Sequence, residues 1–360
     1  MNGGTSLEID LDKIQENAKK IMSICEPMKI EVLGVTKGFA ALPQIVDAMI
    51  MGDIKNLADS HLENIISLRK KGYQNKMTLL RIPRLSVANK VAESVDYSAN
   101  SEIDVIRKLS DSASKNNNKH KIILMIDVGD LREGVMPEDA LKMAKQIIQL
   151  NGVSLVGVGT NMGCYGGVLP TIRNLRLLND IAVDIEKQVG IKIEIVSGGG
   201  TSSLELVESG KMPQGINQLR IGEGILLGTD TTHDKAIPWL KQDAFLLKSE
   251  IIEVKTKPSM PIGRIGRDAF GNIPVFKNEG LRKRAIISLG KQDVSIDGLV
   301  PFDPVMKVLG ASSDHLIVDV NDTEREIKVG DQITFKLNYQ GLLLLSNSKY
   351  VRKVYRRSKT

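Results

Sequence analysis

The run EVLGVTKGFAALPQIVDAMIMGDIKNLAD (31–59) contains a complete strand–helix–strand unit. In EVLGVT (31–36), Val32, Gly34 and Thr36 alternate with Leu33 and Val35, and Lys37 continues the second set. Residues 42–51 carry apolar side chains at helical spacing, and IKNLAD (54–59) returns to a strand. A strand, a helix and a second strand in this order predict a parallel pair joined by a helical crossover.

The same unit recurs outward from this stretch. Further strands are expected at 77–82, 94–99, 121–127, 153–160, 191–197 and 216–221. Helical patterns fall between them at 60–71, 101–116, 137–150 and 171–189, with shorter ones near 85–92 and 203–209. Another helix, 10–25, precedes them. Eight strands with crossovers in about 200 residues favour closure into a (β/α)8 barrel over an open doubly wound sheet. The pattern changes after LLGTD (226–230). AFLLKSEIIEVKT, RAIISLG, VMKVLGA, HLIVDV and QITFKLNY read as strands separated by turn signals. The expected architecture is α/β: a TIM-type barrel over residues 1–230 and a C-terminal β domain over 231–360.

Bulk properties narrow the function. The chain has 360 residues with a net charge of +6, and 42% of its residues are hydrophobic. No apolar run reaches the roughly 18 residues needed to span a bilayer. The start, MNGGTSLEID, has no charged segment followed by an apolar one, so no secretory signal is expected. Cys25 and Cys164 are too few and too far apart for a disulfide framework, which predicts a reducing, cytoplasmic setting. The basic tail KYVRKVYRRSK (349–359) is expected to be a solvated terminal strand with Val351 and Val354 inward. It is not expected to bind nucleic acid, because its charge is small and local.

In a barrel of this kind chemistry sits where strands end. Lys37, Asp59, Arg81, Asp127 with Arg132, Asn161, Ser197 and Arg220 fall there. SGGGTSS (197–203) follows the seventh strand and RIGEG (220–224) the eighth. Glycines let the backbone approach an anion with its N–H groups exposed, and these two loops are a frequent phosphate site. A lysine at a strand end is most often a solvated charge. Beside a phosphate site it acquires a second reading, since a desolvated lysine loses its proton and forms imines. Pyridoxal phosphate (PLP) is the aldehyde that carries a phosphate, and Lys37 would hold it as a Schiff base. No metal site is expected.

LEIDLDKIQEN (7–17), GVTKG (34–38), DVGDLREGV (127–135) and LRIGEGILLG (219–228) resemble segments of the alanine racemase superfamily. SGGGTSS and GTNMGCYGG (159–167) are more similar to its ornithine racemase branch. The resemblance implies that Lys37 is the cofactor lysine and one proton-transfer base, and that Arg220 faces the pyridine nitrogen. It implies that Arg132 contacts the substrate carboxylate or a cofactor oxygen, and that Asn161 stands where alanine racemases have a histidine. Ser197, Gly200, Thr201, Gly222 and the backbone of Glu223 would complete the cofactor site. An arginine cannot surrender its proton to the ring nitrogen, which favours racemisation over decarboxylation.

Three departures accompany the resemblance. Phe39, Ala40 and Ala41 fill the region of the family's phosphate-gripping tyrosine. Met125 replaces a lysine before the Asp-Thr-Gly stretch, so Arg132 must be positioned differently. Lys291 stands at the place of the catalytic tyrosine, and His315 is an alternative second base. The family also implies a head-to-tail homodimer in which one subunit's β domain closes the other's barrel. The expected activity is PLP-dependent racemisation of ornithine or another basic amino acid. Asp303, Asp314 and Glu102 are the possible partners for the distal amine. A PLP carrier without turnover is the alternative from another class, and a decarboxylase is a third.

Overall fold

The structure is a computed structural model and describes residues 4–358. The first three residues of the start and Lys359 of the basic tail lie outside the described residues. After a first strand, β1 (Ser6–Asp10), come β2 (Glu31–Val35), β3 (Asn56–Asp59), β4 (Met77–Leu79) and β5 (Tyr97–Asn100). β6 (His120–Met125), β7 (Val153–Gly159), β8 (Ile195–Ser197) and β9 (Gln218–Ile221) follow. β2 to β9 pair in sequence order and β9 returns to β2, closing the expected barrel. The closing register sets Glu31 opposite Gln218 and Gly34 opposite Ile221, both strands parallel.

The alternation visible in the sequence becomes the two faces of each strand. Leu33, Val35 and Ala58 pack with Leu80, and Ala99, Ile123 and Met125 pack with Tyr97 and Ile195. The opposite face meets the helices: a Cβ on Gly34 would stand 2.9 Å from Ile54. One helix has both ends set by local chemistry. Ile172–Val189 opens on a capping box between Thr171 and Asn174 and closes at Gly190, whose φ is 75°.

The boundaries differ from those expected. The barrel body is Lys13–Gln242, and the second body joins the residues up to Asp12 with those from Asp243 onward. After the hairpin β10 (Thr229–Asp230) and β11 (Lys235–Ala236), the chain stays bound to the helix Leu11–Cys25. Buried Asn17 donates to the carbonyls of Ile225 and Lys241 and accepts from the Lys241 N–H. Lys20 donates to the Trp239 carbonyl. These side-chain bonds to backbone carry the barrel body past residue 230.

The second body is a sheet of β12 (Phe245–Pro258), β13 (Leu281–Ile287), β14 (Leu299–Pro301), β15 (Lys307–Ala311), β16 (Leu316–Asp319), β17 (Gln332–Leu337) and β18 (Arg352–Arg356), with β1. β12 pairs first with β1 and β17, then, past an irregularity at Ile251–Glu253, with β13. β18 is the terminal strand expected of the tail: Val351 is buried, and Arg356 pairs with Glu8 of β1. The helix Tyr339–Asn347 interrupts the strands and was not foreseen. Among the described residues no helix is long and apolar enough to cross a membrane.

Candidate active site

β2 ends at Val35, and Lys37 opens a single 3-10 turn, Lys37–Phe39, directly beyond it. Thr36 fixes that turn. It is fully buried, and its hydroxyl donates 2.6 Å to Asp59 at the end of β3. Asp59 also accepts from the His61 N–H and from Asn64, so its buried carboxylate is fully engaged. Desolvation pushes the Lys37 ammonium below the ordinary lysine value. Cys164 and Asp59 oppose the shift, while Arg132 and Arg220 add to it. These four groups and Lys37 therefore share one electrostatic neighbourhood at the ends of the barrel strands.

Arg220, in β9, is the best-anchored of them. It donates to Ser197 Oγ at 2.5 Å, to the Thr160 carbonyl, and to Asn161 Oδ1 at 2.8 Å. Burial lowers its pKa to about 10, which leaves it charged at neutral pH. Asn161 donates in turn to Glu133, and Glu133 also accepts from Arg132 Nε and, at 2.6 Å, from Arg132 Nη2. The hydrogen bond it donates to Glu133 holds Arg132 above its ordinary value. Asp130, 1% exposed, accepts from the N–H groups of Gly163, Tyr165 and Val168. The loop bearing Cys164 is thereby pinned on both sides of the cysteine. Sequence reading had missed Glu133, Asp130 and Cys164 as site residues. Two of the three carboxylates inside DVGDLREGV, Asp130 and Glu133, flank Leu131–Arg132 and were the available signal.

The loops after β8 and β9 lie against each other. Thr201 Oγ1 accepts from the Gly224 N–H, which leaves its own O–H to donate. Ser203 is spent on the Gly198 carbonyl. A Cβ on Gly200 would stand 3.1 Å from the Arg220 carbonyl, and one on Gly222 would stand 3.2 Å from Val35 Cβ. A side chain at either position would make its neighbour give way by a few tenths of an ångström. Thr201 and Glu223 each open a helical turn, where the first N–H groups lack intrahelical acceptors. The Glu223 carboxylate is turned to Thr229 and Thr231, which leaves its backbone to the cradle. Hydroxyl and N–H donors without an opposing carboxylate suit a phosphate. A desolvated amine with a nearby guanidinium suits its aldehyde-bearing ring.

The other sequence-derived positions have partners of their own. Lys291 and His315 belong to the β body. The Lys291 ammonium sits 4.1 Å over the Phe270 ring and 3.8 Å from Asp268, and exposed His315 meets Asp314 at 3.0 Å. Asp303 accepts from Thr323 and the Val305 N–H, and Asp314 from two serines, while Glu102 is exposed ahead of the helix Ile103–Lys115. Arg81 turns to the Ser60 carbonyl. Met125 is buried with Ala99 and Ile123, against Tyr97 and Ile195.

Fold and site together define a class, (β/α)8 barrels that hold an anionic carbonyl compound at a buried amine. Within it the chain belongs to the alanine racemase family: residues 9–230 match the alanine racemase N-terminal domain. It is 44% identical to a lysine racemase of Thermotoga maritima over 97% of this chain and 98% of that one. It is 42% identical to an ornithine racemase of Acetoanaerobium sticklandii over 96% and 98%. The alanine racemase from D-cycloserine-producing Streptomyces lavendulae superposes with a TM-score of 0.79 at 18% identity, covering 100% of this chain and 98% of its own. That structure shares the fold, the barrel and the β body alike.

Proposed function

We propose that the protein is a PLP-dependent racemase of a diamino acid, with ornithine and lysine as its substrates. Racemisation is the activity of its family and of both near-full-length relatives, one named for each of these amino acids. The observation that carries the reading is the desolvated Lys37 amine in one electrostatic neighbourhood with Arg220, which Ser197, Thr160 and Asn161 anchor through its two terminal nitrogens.

Bound here, PLP supplies an aldehyde for the amine and a conjugated ring that spreads negative charge from the substrate Cα. Lys37 would be its attachment point and would move the Cα proton on one face. Arg220 would donate to the ring nitrogen while keeping its own proton, a partner that favours return of a proton to Cα. This disfavours decarboxylation, which is better served by a carboxylate at that position. The N–H groups around Gly200, Thr201, Gly222 and Glu223 hold the phosphate, with Ser197 behind Arg220. Arg132 takes the substrate carboxylate, and Asn161 lies against the ring.

The second face needs its own acid and base. Lys291, with His315 as the alternative, supplies it from the β body of a partner subunit in a head-to-tail homodimer. Exposed Ile262, Ile273, Val275 and Leu281 on that body support association. The setting is cytoplasmic, in keeping with two unpaired cysteines. Asp303, Asp314 and Glu102 remain the proposed partners of the distal amine.

The test is incubation of pure protein and PLP with L-ornithine, L-lysine and L-alanine, followed by chiral chromatography. Equal D and L forms of ornithine or lysine are expected, with alanine turned over far more slowly. Bound PLP without inversion of any of the three would overturn the assignment and favour a carrier.

A further inference from the structure

We propose that Glu133 is a positioning residue that couples the two arginines of the site. Its carboxylate holds Arg132 in place and fixes the Asn161 amide so that it accepts from Arg220. The proposal rests on the functional reading above for what the arginines bind, but its geometry stands on the hydrogen bonds themselves.

One Glu133 oxygen accepts from Arg132 Nε, and the other accepts from both Arg132 Nη2 and Asn161 Nδ2. Asn161 is thereby satisfied at both ends, since its Oδ1 accepts from Arg220 at 2.8 Å. The orientation of its amide follows from its partners. A flipped amide would set its NH2 against a guanidinium and its oxygen against a carboxylate. Without Glu133 nothing distinguishes the two orientations at the far end, and the contact with Arg220 loses its support.

Charge favours the same arrangement. Arg132 disfavours the charged form of Arg220, and both burden Lys37. Glu133 favours the charged form of each arginine. A single carboxylate between two guanidinium groups makes charge-assisted hydrogen bonds on one side and relieves repulsion on the other.

The loop leaves the pair little freedom. Asp127 accepts from the N–H groups of Gly129 and Leu131, and the Asp127 N–H donates back to the Val135 carbonyl at 2.9 Å. The Val135 N–H donates to Met125 at 2.9 Å, so the chain rejoins the end of β6 two residues after Glu133. Gly134 makes that return with φ at 135°, and a Cβ there would lie 2.6 Å from the Asp127 nitrogen. Met125 brings no charge to this loop. Glu133 thus supplies, from the position next to Arg132, the contact that orients it.

Two measurements decide. The first uses cofactor-free crystals of wild type, E133A and E133Q. Both variants are expected to keep the backbone of 127–135 while Arg132 swings away and Asn161 parts from Arg220. Unmoved Arg132, Asn161 and Arg220 side chains overturn the proposal, whatever the protein catalyses. The second uses the PLP-loaded enzyme with its racemised substrate. E133Q is expected to raise KM by about tenfold or more, with a smaller fall in kcat, at an unchanged thermal midpoint. E133D should recover part of that loss. An unchanged KM, or a KM that rises only as far as the midpoint falls, overturns the proposal. A wild type that racemises nothing defeats the functional reading instead, and the cofactor-free crystals still decide the role of Glu133.

Discussion

Burying an ammonium group destabilises a folded chain until the proton leaves, and Lys37 stands in that position. Its pKa in the folded protein lies below the ordinary 10.5, chiefly through desolvation. Below the folded value both states carry the proton and the penalty is complete. As pH rises through that value the folded lysine deprotonates first, so stability rises toward 10.5 and levels off beyond it. We therefore predict that K37M stabilises the cofactor-free protein at neutral pH, and that the gain shrinks as pH approaches 10.5. Thermal midpoints of both proteins across that range check it. Groups remote from the site titrate alike in the two, so the difference reads Lys37 together with the charges it interacts with, Asp59, Cys164, Arg132 and Arg220. A gain that ignores pH, or a loss, contradicts a desolvated amine. The strained backbone beside it, with φ of 51° at Ala40 and 49° at Ala41, marks a segment shaped for more than stability. Lys37 was legible in the sequence because strand alternation continues onto it. Glu133 was not, because an acidic residue after an arginine in a loop is ordinary until the backbone turns both toward one point.

Whole elements were legible wherever periodicity carried them, and the loops between them only as composition. The strand ends differ from expectation by at most four residues, because alternation fades where strands enter turns. The glycine loops after β8 and β9 were recognised by type, but their closeness was not. It depends on Gly200 meeting the Arg220 carbonyl and Gly222 meeting Val35. That packing predicts the behaviour of G222A. The added methyl reaches a Cβ rather than the end of a flexible side chain, so β9 must shift by a few tenths of an ångström relative to β2. Overpacking of this kind costs about 1–3 kcal/mol, and displaced N–H groups should weaken PLP binding by about tenfold. Titration of cofactor-free protein, followed by absorbance, measures the second effect. Wild-type affinity in G222A would show that the cradle does not depend on this approach. β1 escaped notice for a related reason: a five-residue strand directly before a helix resembles the start of that helix, and its partners lie at the far end of the chain.

Those partners make the β body a union of the two chain ends. Leu7 pairs with Leu247 in β12 and with Lys353 in β18, and it is fully buried. Arg356 pairs with Glu8 across 348 positions of sequence. No local pattern announces such contacts, which is why a boundary drawn along the chain assigned the first residues to the barrel. The loop that joins these ends encloses nearly the whole protein, so the body closes only after its last strand is made. L7A removes a core side chain from the strand that holds β12 and β18 together, and should cost about 2–5 kcal/mol. Hydrogen exchange locates the loss. Peptides covering 245–250 and 352–356 should lose protection in L7A, while those covering β6 and β7 keep theirs, because the barrel ladder closes on itself without β1. Equal loss in all four segments would mean that the two bodies unfold as one cooperative unit. Loss confined to the mutated strand would mean that β12 and β18 are held by other contacts, and that the first residues are an appendage of the sheet rather than its keystone.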